Sequence, residues 1–108
     1  MVRPRGCGNL PRVTQQPPPL EEILASFTTG TLIDRMGIEF VELSAQRAVA
    51  TMPVAGNTQV AGVLHGGASC VLAETLGSVA AFLHVWPDGL ALGTDINATH
   101  HRAVRSGT

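Results

Sequence analysis

Glu74 is the single charged residue between Leu64 and His84, set in the middle of a run that is otherwise apolar or small. A carboxylate in such a run must reach a solvated cleft or accept hydrogen bonds, because bare burial costs several kcal/mol or forces it to take up a proton. Either outcome suits a nucleophile or a general base. The bland alternative is a carboxylate that caps a polar network or faces solvent. Eight residues earlier stands His65-Gly66-Gly67. Paired glycines opening a helix leave backbone N–H groups unscreened by side chains at the positive end of the helix dipole, and such donors can stabilise an oxyanion. Paired glycines also serve merely to permit a tight turn or close packing.

The element that carries these residues runs from Gly66 to about Leu83, holds no proline and is apolar nearly all the way round. That pattern predicts a central buried helix rather than an amphipathic surface one. At about 100° per residue, Gly67, Cys70, Glu74 and Ser78 share one stripe, with Leu72, Leu76, Val79 and Leu83 opposite. Upstream, Leu20, Ile23, Leu24 and Phe27 recur at helical spacing, with Glu21 and Glu22 favoured in the first turn, predicting a short helix that ends near Gly30. Residues 38–43 and 47–54 are rich in branched side chains around the polar Ser44-Ala45-Gln46 and predict a two-stranded hairpin of imperfect alternation. Residues 53–64 read as a loop approaching the long helix. Beyond the turn Trp86-Pro87-Asp88-Gly89, residues 90–99 alternate with a period of two, predicting a strand.

The run GVLHGGASCVLAETLGSVAA, followed by NATHHRAVRSG, strongly resembles the hotdog thioesterase family that includes the phenylacetate-pathway, 4-hydroxybenzoyl-CoA and 1,4-dihydroxy-2-naphthoyl-CoA enzymes. It is most similar to the branch with Glu on the catalytic helix, and the likeness extends from about Leu20 to the last residue. The resemblance implies an α+β hotdog fold, a central buried helix packed on an antiparallel sheet, cut short before the C-terminal strands that such domains carry. It implies hydrolysis of an aryl- or acyl-CoA thioester. The Gly66 N–H would polarise the thioester carbonyl, Glu74 would attack it or activate a water, Ser78 and Gln59 would orient the reacting groups, and His65 would shape the turn. Coenzyme A belongs to the substrate, so no cofactor is implied. A non-catalytic acyl-CoA binding module on the same scaffold, or an inactive fragment, are the competing readings, since fold does not fix function.

Spacing adds a constraint of its own. At 1.5 Å of rise per residue, the eight residues from Gly66 to Glu74 span roughly 12 Å, too far for one helix to serve one carbonyl with both groups. Two such helices packed antiparallel across a two-fold axis would bring Gly66 of one subunit near Glu74 of the other, and Ala73, Gly77, Ala80 and Ala81 are small enough for close approach. A homodimer or homotetramer is therefore expected.

Other residue types carry weaker signals. Arg102, Arg105 and Ser106 stand at the end of the predicted strand, where guanidinium forks could contact the phosphates of a coenzyme A nucleotide. His100 and His101 are adjacent on that strand, so their side chains should point to opposite faces, and with no CxxC or HxxxH pattern no metal site is expected. Cys70 has no cationic partner in sequence to activate it and reads as core filler. Ser69 and Ser78 lack the context of a serine-hydrolase elbow.

Composition bounds the rest. With 108 residues, 44% hydrophobic and 14% charged, the chain is long enough for one packed domain. A net charge of -1 without basic blocks supplies no footprint for nucleic acid or for an anionic membrane surface. The apolar stretch near residues 79–85 is too short to read as a membrane span. Two cysteines make no disulfide framework, and no hydrophobic leader opens the chain, so a cytoplasmic protein is expected. Five of the seven prolines fall in residues 1–19, which read as a disordered tail, leaving residues 20–108 as an incomplete hotdog domain.

Overall fold

The computed structural model describes residues 19–108, so the predicted tail lies, but for Pro19, outside the described residues. The elements follow in the order α1 (Leu20–Thr28), α2 (Leu32–Met36), β1 (Glu39–Leu43), β2 (Ala48–Thr51) and α3 (Gly66–Val85). Pro19 opens α1: its carbonyl accepts from the N–H groups of Glu22 at 2.9 Å and Ile23 at 3.2 Å. A proline here costs the helix nothing, since the first turn has no use for its missing N–H.

The second helix was not legible in the periodicity, because five residues are too few to show one. It stops at Gly37, whose φ of +68° is left-handed. There the Gly37 N–H reaches Asp34 O at 3.1 Å and the Ile38 N–H reaches Ile33 O at 3.0 Å, pairing the last carbonyls of the helix. A methyl group on Gly37 would also meet Pro53 Cγ at 3.0 Å, so the position excludes a side chain twice over.

The hairpin forms where expected, as an antiparallel pair with Phe40 opposite Ala50 and Leu43 opposite Ala48. Its imperfect alternation has a cause: the register slips between Phe40 and Glu42, a bulge that turns Val41 to solvent at 67% exposure. Ser44 closes the turn, its Oγ accepting from the Gln46 and Arg47 N–H groups at 3.3 and 3.0 Å.

α3 packs on β2, and the core lies between them and α2: Ile33, Ile38, Met52 and Ala68, flanked by Phe40, Leu64, Val71 and Leu72. Within this chain the burial of α3 is one-sided. Ala68, Thr75 and Val79 are buried, whereas Ala73, Glu74, Gly77, Ala81 and His84 are exposed. At 20 residues and a mean hydropathy of 1.5, α3 is long and apolar enough by length and composition to cross a membrane, a stretch longer than the sequence suggested. It packs on β2 along one side and carries the charged Glu74 at its middle.

Residues 90–99 differ from expectation, for they form no strand. Alternation prepares two faces, but a strand exists only where a neighbour accepts its ladder of hydrogen bonds, and among the described residues β1 and β2 pair with each other alone. Residues 90–108 instead run back along α3, tied down where the Leu64 N–H donates to Val104 O at 2.7 Å and the Val54 N–H to Gly107 O at 2.9 Å.

Candidate active site

The start of α3 is built by the loop that precedes it. Asn57 is buried, and its Nδ2 donates to Met36 O and Pro53 O, both at 2.8 Å, joining the end of α2 to the loop after β2. Its own carbonyl accepts the His65 N–H at 2.8 Å, which sets the residue before the helix. His65 then caps α3 with its side chain, Nδ1 accepting the Gly67 N–H at 2.8 Å. Of the two glycine donors expected to be open, one is therefore taken. Among the described residues the Gly66 N–H has no partner.

Gly66 faces a cavity of about 430 Å³ that it shares with Gln59, Ser69, His100, His101 and Arg102. Gln59 is half-buried in a tight turn: its backbone N–H donates to Val63 O at 2.8 Å and its Oε1 accepts from the Ala61 N–H at 3.1 Å. The imidazole of His100 lies over Gly66, where a methyl group would come within 3.1 Å of Cε1. Arg102, Arg105 and Ser106 are all exposed; Arg102 joins this cavity, whereas Arg105 and Ser106 line neither it nor the cavity at Glu74.

Glu74 and Ser78 stand one turn apart, and the Ser78 hydroxyl donates to Glu74 Oε1 at 2.6 Å. Short bonds of this kind, to an ionised acceptor, are roughly twice as strong as neutral ones. The pair sits at an apolar cavity of about 390 Å³ lined by Ile33, Thr75, Val79, Phe82, Leu90 and Leu92. The carboxylate is exposed, so a solvated cleft and a hydroxyl donor stabilise its charge.

The residues singled out in the sequence thus fall into two groups. Gln59, His65 and Gly66 gather at the N-terminus of α3, and Glu74 with Ser78 lies two turns along at a different cavity. Sequence reasoning missed Asn57, since a polar residue in a loop carries no periodic signal. It weighed His100 only as a metal ligand, and it missed Gly93, which lies against Glu74 and Ser78. Among the described residues no three His, Cys, Asp or Glu side chains are grouped to hold a metal ion.

A family model described as the thioesterase superfamily matches residues 61–108, which include His65, Gly66, Glu74 and Ser78 but not Gln59. A mutant thioesterase of Pseudomonas aeruginosa superposes with a TM-score of 0.74 at 41% identity, covering 86% of this chain and 68% of that one. A thioesterase of Haemophilus influenzae gives a TM-score of 0.72 at 42% identity over 80% of this chain and 61% of that one. In sequence, a proofreading thioesterase of Cronobacter turicensis is 48% identical over 80% of this chain and 64% of its own length. A Deinococcus radiodurans protein named as a putative esterase is 52% identical over 72% of this chain and 50% of its own. The chain therefore spans between half and two thirds of the length of these two curated relatives.

Proposed function

The chain belongs to the thioesterase superfamily, and the two solved structures named above share its α+β hotdog architecture; from that premise we propose that it hydrolyses an aryl- or acyl-CoA thioester to the free acid and coenzyme A. The observation that carries the proposal is the Glu74 carboxylate, held by Ser78 at 2.6 Å on the edge of an apolar cavity. That cavity suits the acyl or aryl group, and in this reading Glu74 acts where the group meets its thioester.

In the nucleophilic form of the reaction, a Glu74 oxygen attacks the carbonyl carbon, the C–S bond breaks, and the thiolate leaves and takes a proton. Water then cleaves the resulting anhydride. In the general-base form, Glu74 takes a proton from water as that water attacks. In both, negative charge grows on the carbonyl oxygen, and a backbone N–H of the Gly66 kind stabilises it. In this reading two subunits share the site, since a helix rise of roughly 12 Å separates Gly66 from Glu74 within one. The exposed face of Ala73, Gly77 and Ala81 suits a second α3 packed closely against the first, bringing Gly66 of the partner subunit to Glu74. In this reading the protein is a cytoplasmic homo-oligomer, and Arg102, at the cavity of Gly66, meets a phosphate of coenzyme A.

Release of coenzyme A thiol from benzoyl- and octanoyl-CoA, followed with a thiol reagent, tests the proposal. Glu74→Gln should lower turnover at least 100-fold, the lower range for loss of a positioned acid or base. Wild-type turnover in that variant would sink the mechanism, and binding of the thioesters without any thiol release would mark a binding module instead.

A further inference from the structure

Residues 90–93 form one wall of the Glu74 site. Leu90, Ala91 and Leu92 line its cavity, and Gly93 follows against the carboxylate itself. A methyl group on Gly93 would lie 2.6 Å from Glu74 Oε1 and 3.1 Å from Ser78 Oγ. Since a carbon–carbon bond is about 1.5 Å long, Gly93 Cα stands within about 4 Å of the same oxygen. Gly93 is not among the glycines with positive φ, which are Gly30, Gly37, Gly56, Gly62 and Gly107. Its backbone is therefore outside the left-handed region that favours glycine, and what a side chain would meet there is the carboxylate and its hydroxyl donor.

Resting on the reading of Glu74 as the working carboxylate, we propose that Gly93 is a positioning residue: its bare backbone lets residues 90–93 close on Glu74 and keep that carboxylate on the Ser78 hydroxyl. The neighbour it confines is the far end of a flexible side chain that is exposed within this chain. Adding a methyl group therefore costs the fold little, because Glu74 can swing away. It costs the site its geometry, since the contact must open from 2.6 Å to at least the 3.4 Å of ordinary van der Waals approach. A displacement near 1 Å at a reacting group can reduce turnover on the order of 100-fold.

Gly93→Ala tests this in the full chain, by kinetics and by a crystal structure. The expected result is an unchanged melting temperature and KM, a kcat lower on the order of 100-fold, and a Glu74 oxygen moved out of hydrogen-bond range of Ser78. Glu74→Asp, which retracts the carboxylate by one methylene, should cost less in the Gly93→Ala background than alone, because the two changes touch one contact. A structural role would instead lower the melting temperature and leave the two losses additive, and that result overturns the proposal. So does an intact bond between Ser78 and Glu74 in the variant. Retained kcat in Gly93→Ala beside an inactive Glu74→Gln overturns the positioning role alone, whereas a wild-type chain that cleaves no thioester overturns the functional reading and this role with it.

Discussion

Replacing Asn57 by Ala removes the two hydrogen bonds that join the end of α2 to the loop leading into α3, the Nδ2 contacts to Met36 O and Pro53 O at 2.8 Å. Both carbonyls lose their donor at a site where Asn57 is 9% exposed, and a buried polar group left unpaired costs about 1 to 3 kcal/mol. With two such groups, partly relieved by water entering the space of the lost amide, we expect a loss of about 3 kcal/mol. For a domain of this size each kcal/mol lowers Tm by about 4 to 8 °C, so Tm should fall by roughly 12 to 24 °C. Thermal unfolding followed by circular dichroism, with urea titration as a check on the free energy, measures it. Asn57→Asp should do no better, because a carboxylate has no N–H to offer and faces two carbonyl oxygens. A Tm within about 4 °C of wild type for either variant would refute the view that Asn57 holds this loop. Because the Asn57 carbonyl also accepts the His65 N–H, the same variants should lower kcat by loosening the start of α3.

Two further substitutions probe the elements around the site. Gly37→Ala places a side chain at φ +68°, 3.0 Å from Pro53 Cγ, and should destabilise the fold by about 1 to 2 kcal/mol from the left-handed backbone alone, read as a lower urea midpoint at unchanged m-value. His65→Ala deletes the cap on the Gly67 N–H and should cost about 0.5 to 2 kcal/mol; full retention of stability would mean that the imidazole is not what caps α3.

Much of the candidate site was legible one residue at a time. A carboxylate alone in an apolar helical run draws attention by its cost, and Ser78, four residues on, falls beside it by helical geometry, where it donates at 2.6 Å. Gly66 at the helix start follows from the His65-Gly66-Gly67 cluster that opens a proline-free apolar run. The hairpin was readable too, and its broken alternation traces to the bulge at Val41. α2 was not, because its five residues are held by packing of Ile33 and by the Gly37 turn rather than by a repeating pattern.

The sequence by itself determined where α3 lies, which residues share its faces, and that Gly66 and Glu74 stand too far apart on it to meet. Those are consequences of helix geometry, which depends on spacing alone. Tertiary structure decided everything that joins residues distant in the chain: Asn57 bridging Met36 and Pro53, His100 over Gly66, and Gly93 against Glu74. It also decided that residues 90–99, strand-like in pattern, are not a strand, because a ladder requires a second chain segment at hydrogen-bonding distance. Periodicity records which face a residue is on, and it says nothing of what will be brought against that face.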